Sequence, residues 1–204
     1  MEQRVLGCLL EKERTVPDSY PLTLKALVTA CNQSSSRWPL VDYDPGLVER
    51  TLEKLKADGW VRFVHPMHGE RSTKYRQVFE EKLGLSLGEA AVLCLLLVRG
   101  PQTAPELKTR SERLYPFDSA DEVGDALRAL AERDEPYAVF VGRRSGERED
   151  RWAHAFGPVP EMPAGPARAS SPSSSGLEQR VARLEALVAD LYARLGEEPP
   201  EPTA

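Results

Sequence analysis

The sequence predicts a mainly α-helical protein with small β-hairpins, an α+β chain in which one unit is used twice. Two observations carry this. Three helical stretches followed by a hairpin occur in the same order in both halves, and the hairpins open at Trp60 and Tyr137, 77 positions apart. Beyond Gly157 the composition shifts to PVPEMPAGPARASSPSSSG, a Pro/Ser/Ala/Gly stretch with no core-forming pattern.

In the first copy, Val5, Leu6, Leu9 and Leu10 mark the apolar stripe of one helix. Leu24, Leu27, Val28 and Cys31 fit the i, i+3, i+4, i+7 template of a second. Between them TVPDSYPLT reads as an extended or turn linker, because Pro17 and Pro21 bias the residues before them away from helix. The third helix has Asp44 as N-cap, Pro45 at its first position and Gly59 as its stop, with Leu47, Val48, Thr51, Leu52 and Leu55 inward. Strands over 60–64 and 73–79 then flank the turn HPMHGER.

The second copy is punctuated by three capping boxes, Ser86 with Glu89, Thr103 with Glu106 and Ser119 with Glu122. The first opens a helix through Val98 that Gly100-Pro101 ends, and the second a helix to about Leu114. The third opens a helix with Val123, Ala126, Leu127 and Leu130 inward. Strands over 137–141 and 152–156 enclose GRRSGERED. Three helices packed under a two-stranded hairpin make a winged helix, so two tandem winged-helix domains are expected, over 1–83 and 84–157.

A flexible linker is expected over 158–176, an amphipathic coiled-coil helix over 177–196 and a disordered tail over 197–204. Leu177, Val181, Leu184, Val188, Leu191 and Leu195 follow one another at spacings 4, 3, 4, 3, 4, the a/d register of a coiled coil. A helix this short is marginal alone in water and needs a partner. Self-association into a homodimer is the simplest choice, and docking on its own winged helices is the alternative.

Composition narrows the function. Of 204 residues, 41% are hydrophobic and 29% charged, a globular balance. The longest apolar run, over 90–98, falls far short of the roughly 20 residues that cross a bilayer. The N-terminal stretch has no basic n-region. A cytoplasmic protein without membrane contact is therefore expected. Cys8, Cys31 and Cys94 stand far apart among apolar neighbours and read as core residues rather than a metal clip or disulfide framework. His65 and His68 lack further ligands and read as a turn pair. No GxxxxGK[ST], GxGxxG or GxSxG motif occurs. With no nucleophile, base, metal set or phosphate cradle, neither a cofactor nor an enzymatic activity is expected.

Net charge is −5, but it is unevenly placed: +1 over 1–83, −3 over 84–157 and −3 over 158–204. Bulk charge argues against coating nucleic acid and leaves a local basic surface open in the first copy.

LEKERTVPDSYPLTLKALVTACNQSSSRWP, over 10–39, and LCLLLVRGPQTAPELKTRSER, over 93–113, resemble the YceH-like family of bacterial proteins. The likeness covers roughly residues 4–157, and the terminal stripe is of a kind that many members carry. It implies the tandem winged-helix fold and brings no established activity with it. Trp38 stands where an acid is usual in that family, and Gln77 where a histidine is usual.

If the chain binds double-stranded DNA, the third helix of a winged helix enters the major groove and the hairpin lies along the backbone or minor groove. In the first copy that helix offers Arg50 and Lys54 beside Glu49, Glu53 and Lys56, a mixture that equally suits a solvated face. The first hairpin gathers Arg62, His65, His68, Arg71, Lys74 and Arg76 against Glu70, and alternation puts Lys74 and Arg76 on the side away from Tyr75. In the second copy Asp121, Glu122 and Asp125 suit a helix dipole but not a DNA groove. Its wing carries Arg143, Arg144, Arg148 and Arg151 against Glu147, Glu149 and Asp150; Arg143 and Arg144 are candidates for backbone contact, and an exposed salt-bridged hairpin is an equal alternative. The connection over 33–43 exceeds a compact helix-turn-helix turn and carries Trp38, an interface residue or a cap on its own core. The expected function is DNA binding by a homodimeric regulator, with contacts from the first domain. The alternative is an adaptor that binds protein partners through its winged helices and terminal helix.

Overall fold

The computed structural model describes residues 1–66, 72–143 and 148–158. His68, Arg71 and Arg144 lie outside the described residues, as does the heptad stripe Leu177, Val181, Leu184, Val188, Leu191 and Leu195 with its linker and tail.

The chain is mainly α-helical with two small antiparallel hairpins, a winged-helix-like fold. The first set of elements is α1 (Glu2–Thr15), a 3₁₀ turn (Pro17–Ser19), β1 (Leu22–Thr23), α2 (Leu24–Cys31), α3 (Pro45–Ala57), β2 (Val61–Val64) and β3 (Lys74–Gln77). A short α4 (Phe79–Leu83) leads to the second: α5 (Leu87–Arg99), β4 (Gln102–Thr103), α6 (Ala104–Ser111), α7 (Ala120–Ala131), β5 (Ala138–Gly142) and β6 (Arg151–His154). The element order is therefore repeated.

Each hairpin gains a third strand, giving the orders β1-β3-β2 and β4-β6-β5. The linker around Tyr20 thus ends in a strand, Leu22 opposite Tyr75 and Thr23 opposite Lys74. Thr23 and Thr103 each close a strand and cap the following helix, their side chains accepting from the N–H of Ala26 and of Glu106.

Among the departures from the sequence expectation are two boundaries and one capping box. β3 stops at Gln77 rather than 79, because the Gln77 side chain accepts from the Glu80 N–H at 3.0 Å and starts α4, which turns Phe79 into the core. α6 ends at Ser111, whose carbonyl takes the N–H groups of both Leu114 and Tyr115. The boxes at Ser86 and Thr103 are complete, but the third is half formed. Ser119 caps the Glu122 N–H, and the Glu122 carboxylate accepts instead from the Asp118 N–H at 2.8 Å.

The core centres on α5. Every residue from Ala90 to Val98 is buried, so the helix is covered all round, as its unbroken apolar run requires. α1 lies along it, and the Cys94 thiol reaches the Gly7 carbonyl at 3.5 Å. Leu9, Leu27, Leu52, Leu96, Leu107 and Leu127 belong to one continuous hydrophobic cluster.

The connection between α2 and α3 is tied down from both sides. The Arg37 side chain is fully buried, grips Glu11 with two nitrogens at 3.0 and 2.6 Å and donates to the carbonyls of Ala30 and Ser36. Arg4, also buried, donates to the carbonyls of Cys31 and Pro39. The Trp38 N–H donates to the Val98 carbonyl at 2.8 Å, which joins this connection to α5. Among the described residues no helix is long and apolar enough to cross a membrane.

Candidate nucleic-acid interface

α3 is started by Asp44, which accepts from the Leu47 N–H at 2.9 Å, and anchored by buried Val48, Thr51, Leu52 and Leu55. That anchoring leaves Glu49, Arg50, Glu53, Lys54 and Lys56 exposed. Arg50 has no ion-pair partner among the described residues. Lys54 donates to Glu2 at 2.5 Å, a bond that raises its pKa and offsets part of its charge. Lys56 sits over the Phe63 ring, 4.3 Å from its centre. Burial, then the charges of Glu49 and Glu53, push the Tyr75 phenol upward, so α3 turns acids toward the inner face of the hairpin.

The hairpin register sets Arg62 opposite Arg76, Phe63 opposite Tyr75 and Val64 opposite Lys74. Successive side chains alternate between faces. Arg62, Lys74 and Arg76 therefore share the outer face, while Phe63 and Tyr75 meet edge to face on the inner one, with ring centres 4.8 Å apart. Because Lys56 of α3 covers Phe63, the helix serves the inner face, and the five described candidates of this copy fall on two surfaces. Arg50 and Lys54 form one, and Arg62, Lys74 and Arg76 the other. Neither Arg62 nor Arg76 forms an ion pair among the described residues. Like charges directly opposite each other are destabilising.

In the second copy two of the four wing arginines are engaged. Arg143 is held by Asp150 at 2.9 Å. Arg151, counted from sequence with the wing charges, instead turns inward and donates to the Pro101 carbonyl and to Glu106. Asp121 and Asp125 are exposed on α7, and Asp125 pairs with Arg128.

Arg4, Arg37 and Glu11 escaped sequence reasoning as a group. Their one visible trace is Arg4 lying inside an apolar stripe. Burial alone would raise the Glu11 carboxyl, but its bonds to Arg37 carry it below the ordinary range. Cys8, Cys31 and Cys94 are buried free thiols, and burial pushes Cys94 strongly upward, away from the reactive thiolate form. Among the described residues no group of three His, Cys, Asp or Glu side chains is placed to hold a metal ion.

Residues 1–147 match the family model described as "Protein of unknown function, DUF480". A UPF0502 protein of Koribacter versatilis is 43% identical over 188 residues, covering 92% of this chain and 87% of the relative. One from Pelobacter propionicus is 43% identical over 194 residues, 93% and 88% of the two chains. A third, from Stenotrophomonas maltophilia, is 42% identical over 204 residues, 97% and 92%. The match runs through both copies of the repeated unit, and the resemblance to YceH-like proteins holds at family level: the chain belongs to the DUF480 family, whose relatives carry the name UPF0502.

Proposed function

We propose that this is a tandem winged-helix protein that binds duplex DNA as a homodimeric cytoplasmic regulator, with its first copy making the contacts. The observation that carries the proposal is Arg62 facing Arg76 across β2 and β3, with neither held in an ion pair among the described residues. Such a pair is unfavourable in the free protein and is relieved by a phosphate. Arg50 supplies a further cation on α3. The acids beside it repel phosphate, so the backbone contacts fall chiefly to the hairpin. Dimerisation rests on the heptad register from Leu177 to Leu195.

The test is duplex binding by the full chain as salt is varied. Log affinity should fall linearly with log salt, and Arg62→Ala and Arg76→Ala, each removing one contact per protomer, should each reduce the slope by about 2 for the dimer. Negligible binding at low salt, or binding indifferent to both substitutions, overturns the proposal. Removing residues 177–204 should halve the solution mass.

A second reading, an adaptor for protein partners, is favoured by Phe140 and Val141, which are 57% and 45% exposed on the edge strand β5. Phe140→Ser with Val141→Ser should leave DNA affinity unchanged and remove any partner that co-purifies with the intact chain.

A further inference from the structure

A cleft of about 240 Å³ lies where the connection between α2 and α3 meets the end of α5, α6 and β6. Four arginines line it, Arg37, Arg99, Arg110 and Arg151, against one carboxylate, Glu106. Glu106 is already committed: it receives Arg151 at 2.8 Å and the Thr103 N–H at 3.0 Å, and Arg110 approaches it at 3.7 Å. Arg37 is satisfied from behind by Glu11. Arg99 meets only the Ser36 hydroxyl, at 2.5 Å, and has no carboxylate partner among the described residues.

Two N–H groups at this cleft are buried without an acceptor, Nε of Arg99 and Nε1 of the Trp38 indole. Buried donors left unmade cost about 1–3 kcal/mol each, so native proteins rarely keep them. Here one belongs to a guanidinium without a carboxylate partner among the described residues, and the other lines the same cleft. Burial, and then the neighbouring charge of Arg110, disfavour the Arg99 cation, which an anion would stabilise. The indole is held against backbone: at Gly100, where φ is +71°, a Cβ would stand 2.8 Å from Cδ1 of Trp38, so only glycine admits the ring.

We infer that this cleft binds a small oxyanion, the phosphoryl or carboxylate group of a soluble ligand, through Trp38, Arg99 and Arg110. Guanidinium and indole N–H groups are donors only, and a multiply accepting anion satisfies them together. The cavity is smaller than the roughly 300–1,000 Å³ of pockets that enclose drug-sized molecules, so it takes the charged group and leaves the rest of the ligand outside. The site shares no residue with Arg50, Arg62 or Arg76 and stands whether or not the chain binds DNA.

The experiment follows indole N–H resonances of the full chain by NMR, with inorganic phosphate in one arm and acetate in the other, against chloride at matched ionic strength. Trp38→Phe identifies the resonance. The Trp38 signal should move saturably in at least one arm and not with chloride, while those of Trp60 and Trp152 stay in place. Saturation by phosphate alone assigns a phosphoryl group, and by acetate alone a carboxylate. Arg110→Gln, at an exposed position, should weaken binding at least tenfold with the thermal midpoint retained, and Arg99→Gln at least as much. A Trp38 signal that never saturates, that follows chloride equally, or whose titration is unchanged by Arg110→Gln overturns the inference.

Discussion

A methyl group on Gly7 would stand 2.8 Å from Cγ1 of Val98 and 2.9 Å from Cβ of Leu97. α1 and α5 thus touch with room for a hydrogen and nothing larger. Gly7→Ala is expected to destabilise the protein by about 1–3 kcal/mol through overpacking. In an unobstructed helix the same change would stabilise by about 1 kcal/mol. The direction in which the urea midpoint moves checks the contact.

Arg37 and Glu11 form a pair in which the arginine side chain is fully buried. Arg37→Met leaves Glu11 without its main partner and should cost about 3–5 kcal/mol in chemical denaturation. Arg37→Met combined with Glu11→Leu should cost clearly less than the sum of the two single changes, because neither charge is then stranded. Strict additivity would show that the pair is not coupled.

Arg62 and Arg76 make opposite predictions for stability and binding. Arg62→Thr removes a like-charge pair and places a strand-favouring residue on the sheet. Stability should stay level or rise by a few tenths of a kcal/mol, while duplex affinity falls. A loss of stability would mean that Arg62 serves the fold.

His154 lies buried on β6, its Nδ1 without a partner, and burial followed by the charge of the N-terminus lowers its pKa. A histidine depressed in the folded state contributes stability that is complete above its unfolded pKa of about 6.5 and is lost as pH falls through the folded value. Thermal midpoints of the wild-type chain should therefore drop on acidification below about pH 6.5. His154→Leu should flatten that part of the curve. The Glu11 contribution has the same sign but is lost at lower pH, through the carboxylate range.

Local signals were the legible ones. Asp44, Ser86 and Thr103 cap helices within three residues of themselves, and their positions could be read directly. Alternation likewise put Lys74 and Arg76 on one face of the hairpin, as the register does. β1 and β4 gave no such signal, since two residues cannot show a period and their partners are set by chain closure. Charges were the hardest to place. Arg151 is drawn inward by Glu106, 45 residues away, and Lys54 is offset by Glu2 across 52. Neither partner stands near its arginine or lysine in the sequence. The oxyanion cleft is of the same kind, assembled from a loop and three later elements that only the folded core brings together.

The contact between Cys94 and Gly7 spans 87 residues, which also makes it an interval of time. At about 5–20 residues per second, α1 emerges from the ribosome roughly 4–17 s before the helix that covers it. Val5 and Leu9 are meanwhile sheltered by whatever α2 and α3 provide. A chain interrupted anywhere before α5 leaves that face open to solvent and to other nascent chains. The face of α1 that α5 covers is therefore closed only when residues near Val98 arrive.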